Sequence, residues 1–336
     1  MTTAAENAQV AKSPSNGGGE LKNWLLDRAP FLVACVMLCA LVAVYGVLRD
    51  GVFSLAELNI DTAAALTLLL AATGQTIVLL RGGIDLSIGG VISLGTVLAA
   101  TQMGDNPWSA TFWVLLVLAA GALVGFVNGV LITVLKLQPF LVTLATWSIL
   151  SGAALIVLPT DGGALPTAWM AFGNATWLGL SSSVWLLAGL ICFWLWFRRS
   201  RLGVAIRATG SNERSAFLSG VSPLWINVAT YGLSGLFAAL AALYLTTQTG
   251  AGSPTIGKDY ILPSVTAAVI GGLSLFGGRG GLIGTTIGAF ILTIIGNLVF
   301  VLRVSSYWQP IVSGVILLIA VLASSTAEKS ARNSLT

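Results

Sequence analysis

Histidine is absent from the chain, and Lys, Arg, Asp and Glu together make up 8% of its 336 residues. Without an imidazole there is no Ser-His-Asp triad, no His-paired metal site and no neutral-pH base of the usual kind. A G-x-x-x-x-G-K-[ST] phosphate loop is missing too, because the one Gly run before a Lys, Gly17 to Lys22, lacks the spacing and the following Ser or Thr. No nucleophile elbow occurs. These absences exclude a self-contained ATPase, and they leave a membrane-embedded enzyme without convergent acid, base or metal groups. Cysteine is scarce: Cys35, Cys39 and Cys192 all fall inside apolar runs. Cys35 and Cys39 share a helix face at i, i+4, but with no carboxylate beside them they read as packing residues rather than a metal pair.

What the chain does have is apolar bulk. It is 56% hydrophobic with a mean hydropathy of +0.92, far above a soluble domain, so it reads as an integral membrane protein. A bilayer core of roughly 30 Å needs about 20 apolar residues per helical span. Ten runs fit: Ala29 to Leu48, Ile60 to Leu80, Ile88 to Gln102, Phe112 to Leu135, Phe140 to Leu158, Val184 to Phe197, Leu224 to Leu245, Ile261 to Leu275, Leu282 to Leu302 and Trp308 to Ala323. The fold expected is all-α, with about ten transmembrane helices. Residues 29–325 form the membrane domain, between a disordered tail over 1–28 and a short tail over 326–336. The first tail lacks an apolar core and is no signal peptide.

Charge sets the orientation, since Lys and Arg near span ends are retained on the cytoplasmic side. With the N-terminus inside, the basic residues divide thirteen inside to three outside, the three being Arg49, Lys258 and Arg303. Both termini are therefore expected in the cytoplasm. The net charge of +4 reflects this topology and gives no reason to invoke nucleic acid.

Two spans are short and interrupted. Ile88 to Gln102 is entered through "RGGIDLSIGG", Arg81 to Gly90, and Ile261 to Leu275 holds Pro263 with Gly271 and Gly272 at its end. Split five and five, the ten spans put these third and eighth, in matching places of two halves that must lie inverted to one another. Interrupted segments at matching positions point to a transporter's substrate path. For the first break two readings stand. Asp85 and Ser87 either support the wall of a polar translocation path, or they belong to a cytoplasmic loop with an Asp cap and Arg81 reaching phosphate headgroups. Gly121, Gly125 and Gly129 recur at intervals of four and read as a close helix contact; Asn128 beside them needs a partner, another helix or a polar solute.

Ion-coupled carriers place ionisable groups within their spans, and Asp85 is nearly alone here. The spans offer neutral groups instead, among them Gln75, Asn128, Thr143, Thr146, Asn297 and Gln309, together with Trp147, Trp225 and Trp308. Such a lining suits an uncharged polyhydroxylated solute, although each group taken singly also reads as an interhelical or interfacial contact. Gln75, Asp85, Ser87, Asn128, Asn297 and Gln309 are the path candidates. The longest polar break, Arg198 to Pro223, holds a short helix capped by Ser211 and ended by Gly220 and Pro223, presenting Ala216, Phe217 and Leu218 beside Glu213 and Arg214. An apolar rim with charged neighbours suits a protein interface; the other reading is that Phe217 anchors in lipid.

Several motifs resemble one family. "GGIDLSIGG" at Gly82 to Gly90, "GFVNGVLI" at Gly125 to Ile132, "LGVAIRATGSNERSAFLSGV" at Leu202 to Val221, "GGLSLFGGRGGLIGTTIGA" at Gly271 to Ala289 and "VSSYWQPIVSGVILLIAV" at Val304 to Val321 look like the permease subunits of ribose-type sugar ABC importers. The resemblance implies an inner-membrane permease that binds no cofactor itself. It implies a second permease copy or a related permease, a cytoplasmic ATPase carrying ATP and Mg, and a periplasmic sugar-binding protein. By that likeness Gly203, Ser211, Asn212, Glu213, Arg214, Phe217 and Gly220 fall in the ATPase-coupling loop. The segment Pro159 to Ser183 departs from the family pattern. A stand-alone facilitator remains the rival, for it too would use neutral polar spans.

Overall fold

The computed structural model describes the backbone of residues 17–305, 307–316, 318 and 319, with side chains from residue 29 onward. In chain order the helices are α1 (Gly17–Leu48), α2 (Leu55–Arg81), α3 (Ser87–Gln102), α4 (Pro107–Val134), α5 (Pro139–Val157), α6 (Thr167–Gly173), α7 (Ser182–Phe197), α8 (Arg201–Ser211), α9 (Glu213–Leu218), α10 (Pro223–Thr249), α11 (Lys258–Ile270) and α12 (Leu282–Val301). Between α6 and α7 a hairpin pairs β1 (Thr176–Trp177) with β2 (Leu180–Ser181). Residues 308–316 are helical as well.

Local chemistry accounts for many of the boundaries. Ser54 accepts from the Glu57 amide at the start of α2, and Asn106 accepts from the Trp108 amide at the start of α4. Proline opens α4, α5 and α10, where its missing N–H has no helical partner to lose. Both α2 and α10 stop on a left-handed glycine, Gly82 at φ 89° and Gly250 at φ 66°.

Among the described residues six helices are long and apolar enough to cross a membrane: α1 over Ala29–Leu48, then α2, α4, α5, α10 and α12; α3 and α7 are shorter apolar helices. The first nine expected runs overlap α1 to α5, α7 and α10 to α12, and the tenth overlaps helical residues 308–316. Helix α1 begins at Gly17, so residues 17–28, expected to be disordered tail, are helical. The remaining tail residues, 1–16 and 326–336, lie outside the described residues.

The core is built around α2 and α10, which pack on each other. Leu66, Leu69, Ile77 and Leu79 of α2 are fully buried, as are Ala238, Ala239, Ala241 and Ala242 of α10. In lipid, helix association rests on close packing rather than on expulsion of water, so small residues at the contact matter. A methyl group at Gly121 would collide with the Gly235 carbonyl, at Gly125 with the Tyr231 carbonyl and at Gly129 with the Val228 backbone. The three glycines thus set the approach of α4 to α10, as their spacing predicts. The same device recurs where Gly271 and Gly284 bring α11 onto α12.

Candidate functional site

The break between α2 and α3 is held by one polar network. Arg81 ends α2, Gly82 turns the chain in the left-handed region, and a methyl group on Gly83 would clash with the Tyr231 hydroxyl of α10. Two residues beyond Gly83, Asp85 is 1% exposed. The Ser87 amide and hydroxyl donate to its Oδ1 at 2.9 and 2.6 Å, and the Ser234 hydroxyl of α10 donates to its Oδ2 at 2.7 Å. From Ser87 the chain of bonds continues: Asn128 Nδ2 of α4 donates to Ser87 Oγ at 3.0 Å, and the Thr146 hydroxyl of α5 donates to Asn128 Oδ1 at 2.7 Å. Four helices are thereby fastened to one carboxylate. Buried polar groups require partners, and Asp85, Ser87 and Asn128 supply each other's.

The other path candidates lie apart from this network. Gln75, in the middle of α2, is fully buried with both amide atoms unpartnered among the described residues. Asn297 of α12 sits at the far end of α2, where its Nδ2 donates to Asp61 Oδ1 at 2.7 Å. Gln309 is exposed and packs over Gly296. Asp61 corrects the expectation that Asp85 is nearly alone within the spans, for it lies inside the expected run Ile60 to Leu80. Beside it Glu57 accepts from the Tyr45 hydroxyl at 2.6 Å and pairs with Arg49 at 3.0 Å, which ties α1 to α2.

At the Arg81 end a cavity of about 540 Å³ opens between α2, α4, α5, α9 and α10. Its lining includes Gly82, Thr133, Lys136, Glu213, Asn227 and Tyr231. The Asn227 amide donates to Thr133 Oγ1 at 2.9 Å, and Arg81 forms an ion pair with Glu213 at 2.9 Å. Across the same end runs the glycine-rich turn between α11 and α12. The Gly278 amide donates to the Leu80 carbonyl at 2.9 Å, and methyl groups at Gly210, Gly277 or Gly278 would collide with Leu80, Gly82 or Ser211. Both interrupted regions and the α8–α9 segment therefore meet around the last turn of α2.

That segment differs in detail from its expected form. It contains two helices rather than one. Ser200 caps α8 by accepting from the Gly203 amide at 3.1 Å, and Ser211 is the last residue of α8 rather than a cap. Asn212 caps α9, accepting from the Ser215 amide at 2.9 Å, one residue beyond the expected position. Gly220 at φ 85° ends α9, as expected. Phe217 and Leu218 are 61% and 78% exposed and uncovered by this chain, whereas Ala216, expected beside them on the apolar rim, is buried. Arg207 on α8 is partly buried near Arg198, and both burial and that neighbouring charge push its guanidinium below the usual arginine range. Among the described residues no group of three or more His, Cys, Asp or Glu stands together as metal ligands would.

Residues 61–321 match the family described as branched-chain amino acid transport system / permease component. The chain belongs to this permease family. Its relatives include the ribose import permease protein of Escherichia coli strain K12, 34% identical over 90% of this chain and 94% of that one. The ribose import permease protein of Bacillus subtilis strain 168 is 36% identical over 75% and 80% of the two chains. A fructose import permease protein of Rhizobium meliloti is 30% identical over 88% and 85%. No solved structure matches the chain. The family description mentions amino acids, whereas these relatives are named for sugars. The chain is a permease component and not an enzyme.

Proposed function

We propose that the permease forms the translocation path of an ATP-driven importer for a small neutral sugar, with ribose the first to test because the ribose permeases cover most of its length. The observation that carries the energetic half is the α9 surface. Phe217 and Leu218 stand exposed beside Glu213 and Arg214, on a helix outside the apolar spans and against the end of α2. A cytoplasmic ATPase, holding ATP and Mg, docks there. A periplasmic sugar-binding protein delivers sugar at the opposite end, and a second permease copy or a related permease completes the pore. The protein lies in the bacterial inner membrane with both termini inside, as the thirteen-to-three division of basic residues supports.

The ten spans form two inverted halves, α1 to α5 against α7, α10, α11, α12 and the helix at residues 308–316. Packing supports this reading: α2 lies on α11 and α12, and its counterpart α10 lies on α3 and α4. The relation does not extend to the first helices, since α1 packs on α12 and α7 mainly on α2. Sugar passes beside α2, with Asn297 and Gln309 at its outer end, Gln75 midway and the Asp85, Ser87 and Asn128 network at its inner end. At 1.5 Å per residue, the helical stretch of α2 from Asp61 to Arg81 spans about 30 Å, the thickness of the hydrocarbon core. The Gln75 amide is fully buried with no partner among the described residues, so a hydroxylated solute passing α2 would supply its hydrogen bonds.

The test is retention of the ATPase. The permease with Phe217→Ala and Leu218→Ala should lose co-purifying ATPase while still inserting in the membrane. Undiminished retention would remove α9 as the docking surface.

A further inference from the structure

Among the described residues there are two ion pairs, and the one between Arg81 and Glu213 is the only polar bond that reaches from α9 to a membrane-spanning helix. Around it the contacts are of another kind. The Gly278 amide ties the turn between α11 and α12 to the Leu80 carbonyl at 2.9 Å, while on the α8 side Gly210 lies so close to the Leu80 carbonyl that it could carry no side chain. The packing of Gly210 on α2 resists compression but not separation, because dispersion attraction fades within an ångström of lost contact. A charge-assisted hydrogen bond resists separation and keeps direction. The Arg81 side chain is 14% exposed and Glu213 55%, so the arginine is held by the protein while the glutamate reaches in from the surface helix. Each partner also sits at a favourable helix end, the cation at the C-terminus of α2 and the carboxylate in the first turn of α9.

What lies beyond Arg81 gives the bond its consequence. Gly82 and Gly83 follow it without side chains to stiffen the turn, and then comes Asp85, which holds α3 and α10 through Ser87 and Ser234 and reaches α4 and α5 through Asn128 and Thr146. We propose that Arg81 is the positioning residue through which α9 pulls on the interrupted third helix, by way of its ion pair with Glu213. The inference rests on the reading of α9 as the ATPase contact and adds the residue that receives the movement. The Gly210 and Gly278 contacts carry the push of the same cycle to the turn between α11 and α12. Closure of the ATPase is thus answered at both interrupted helices, by compression at one and by compression and traction at the other.

The test uses the permease reconstituted with its cognate ATPase and sugar-binding protein, and reads two quantities: ATPase retained on the permease, and sugar taken up per ATP hydrolysed. Arg81→Glu should leave retention at the wild-type level and lower uptake per ATP about tenfold, within the range usual for coupling between sites. Arg81→Lys, which keeps the charge but loses the planar fork, should fall between. Exchange of the two charges, Arg81→Glu with Glu213→Arg, should recover uptake per ATP to within about threefold of wild type if the pair acts as a unit. The proposal is overturned by unchanged uptake per ATP in Arg81→Glu, or by an exchange variant no better than the poorer single. It is equally overturned if Arg81→Glu sheds the ATPase as completely as the Phe217 and Leu218 variant, since the pair would then serve docking. Wild-type permease that retains no ATPase would remove the α9 reading itself, and that result shows before any substitution is made.

Discussion

Replacing Asp85 by Ala removes the acceptor for three donors at once: the Ser87 amide, the Ser87 hydroxyl and the Ser234 hydroxyl. A buried donor left without a partner costs about 1–3 kcal/mol. The three costs overlap, because a hydroxyl can turn to a nearby carbonyl and neighbouring losses are not additive, so the expected total is about 3–5 kcal/mol. Asp85→Asn keeps Oδ1 for both Ser87 donors and offers an N–H to the Ser234 oxygen, which a hydroxyl can accept; its cost is about 1 kcal/mol. The assay is thermal unfolding of the detergent-solubilised permease, followed by loss of its monodisperse peak. On the scale of roughly 2–4 °C per kcal/mol for larger domains, the Ala variant should melt about 10 °C below wild type and the Asn variant within about 4 °C. An Ala variant as stable as wild type would refute the account of Asp85 as the group that fastens four helices. If Asn folds normally yet transports poorly, the carboxylate has a role in the path as well; loss of the Asn variant from the membrane would make that role structural only.

The remaining predictions concern other parts of the molecule. Gly125→Leu should prevent folding, because its side chain would meet the Tyr231 backbone of α10, whereas Gly152→Leu, which has open space before it, should be tolerated; expression and peak shape separate the two. Asn297→Leu leaves the Asp61 carboxylate without its side-chain donor and should lower stability by about 1–3 kcal/mol, read by the same melt. Asn59 donates to the Gly179 carbonyl at 3.0 Å and accepts from the Ser181 amide at 2.8 Å, so Asn59→Ala should speed hydrogen exchange in the hairpin over residues 176–181 and leave the spans unchanged. Equal exchange in both proteins would show that the hairpin is held by other contacts.

The sequence shows the spans because apolar length is a property of each segment by itself, and the same holds for the Gly121, Gly125 and Gly129 face. The Asp85 and Ser87 turn is legible for the same reason, since its donor and acceptor lie two residues apart. Contacts between distant segments leave no such mark. Arg81 and Glu213 are 132 positions apart, and Asp61 and Asn297 are 236 apart, so neither pair is visible until the helices are assembled. Asp61 escapes notice for a second reason, as it sits one residue inside a long apolar run. The hairpin between α6 and α7 has strands of two residues each, too short for any alternation to show. Helix α8 is hidden by its charge, with Arg201 and Arg207 among small residues in a stretch read as a loop. At α9 both Ser211 and Asn212 are good cap residues, and only the backbone, extended at Asn212 with φ −159°, decides between them.

The most direct measurement is uptake of labelled ribose into liposomes holding the permease, its cognate ATPase and its sugar-binding protein, with and without ATP inside the compartment that the ATPase faces. The account predicts uptake that requires ATP, the ATPase and the binding protein together, and that stops when any one is left out. Sugar entering through the permease alone, at the same rate with no ATP, would contradict it and make the protein a facilitator.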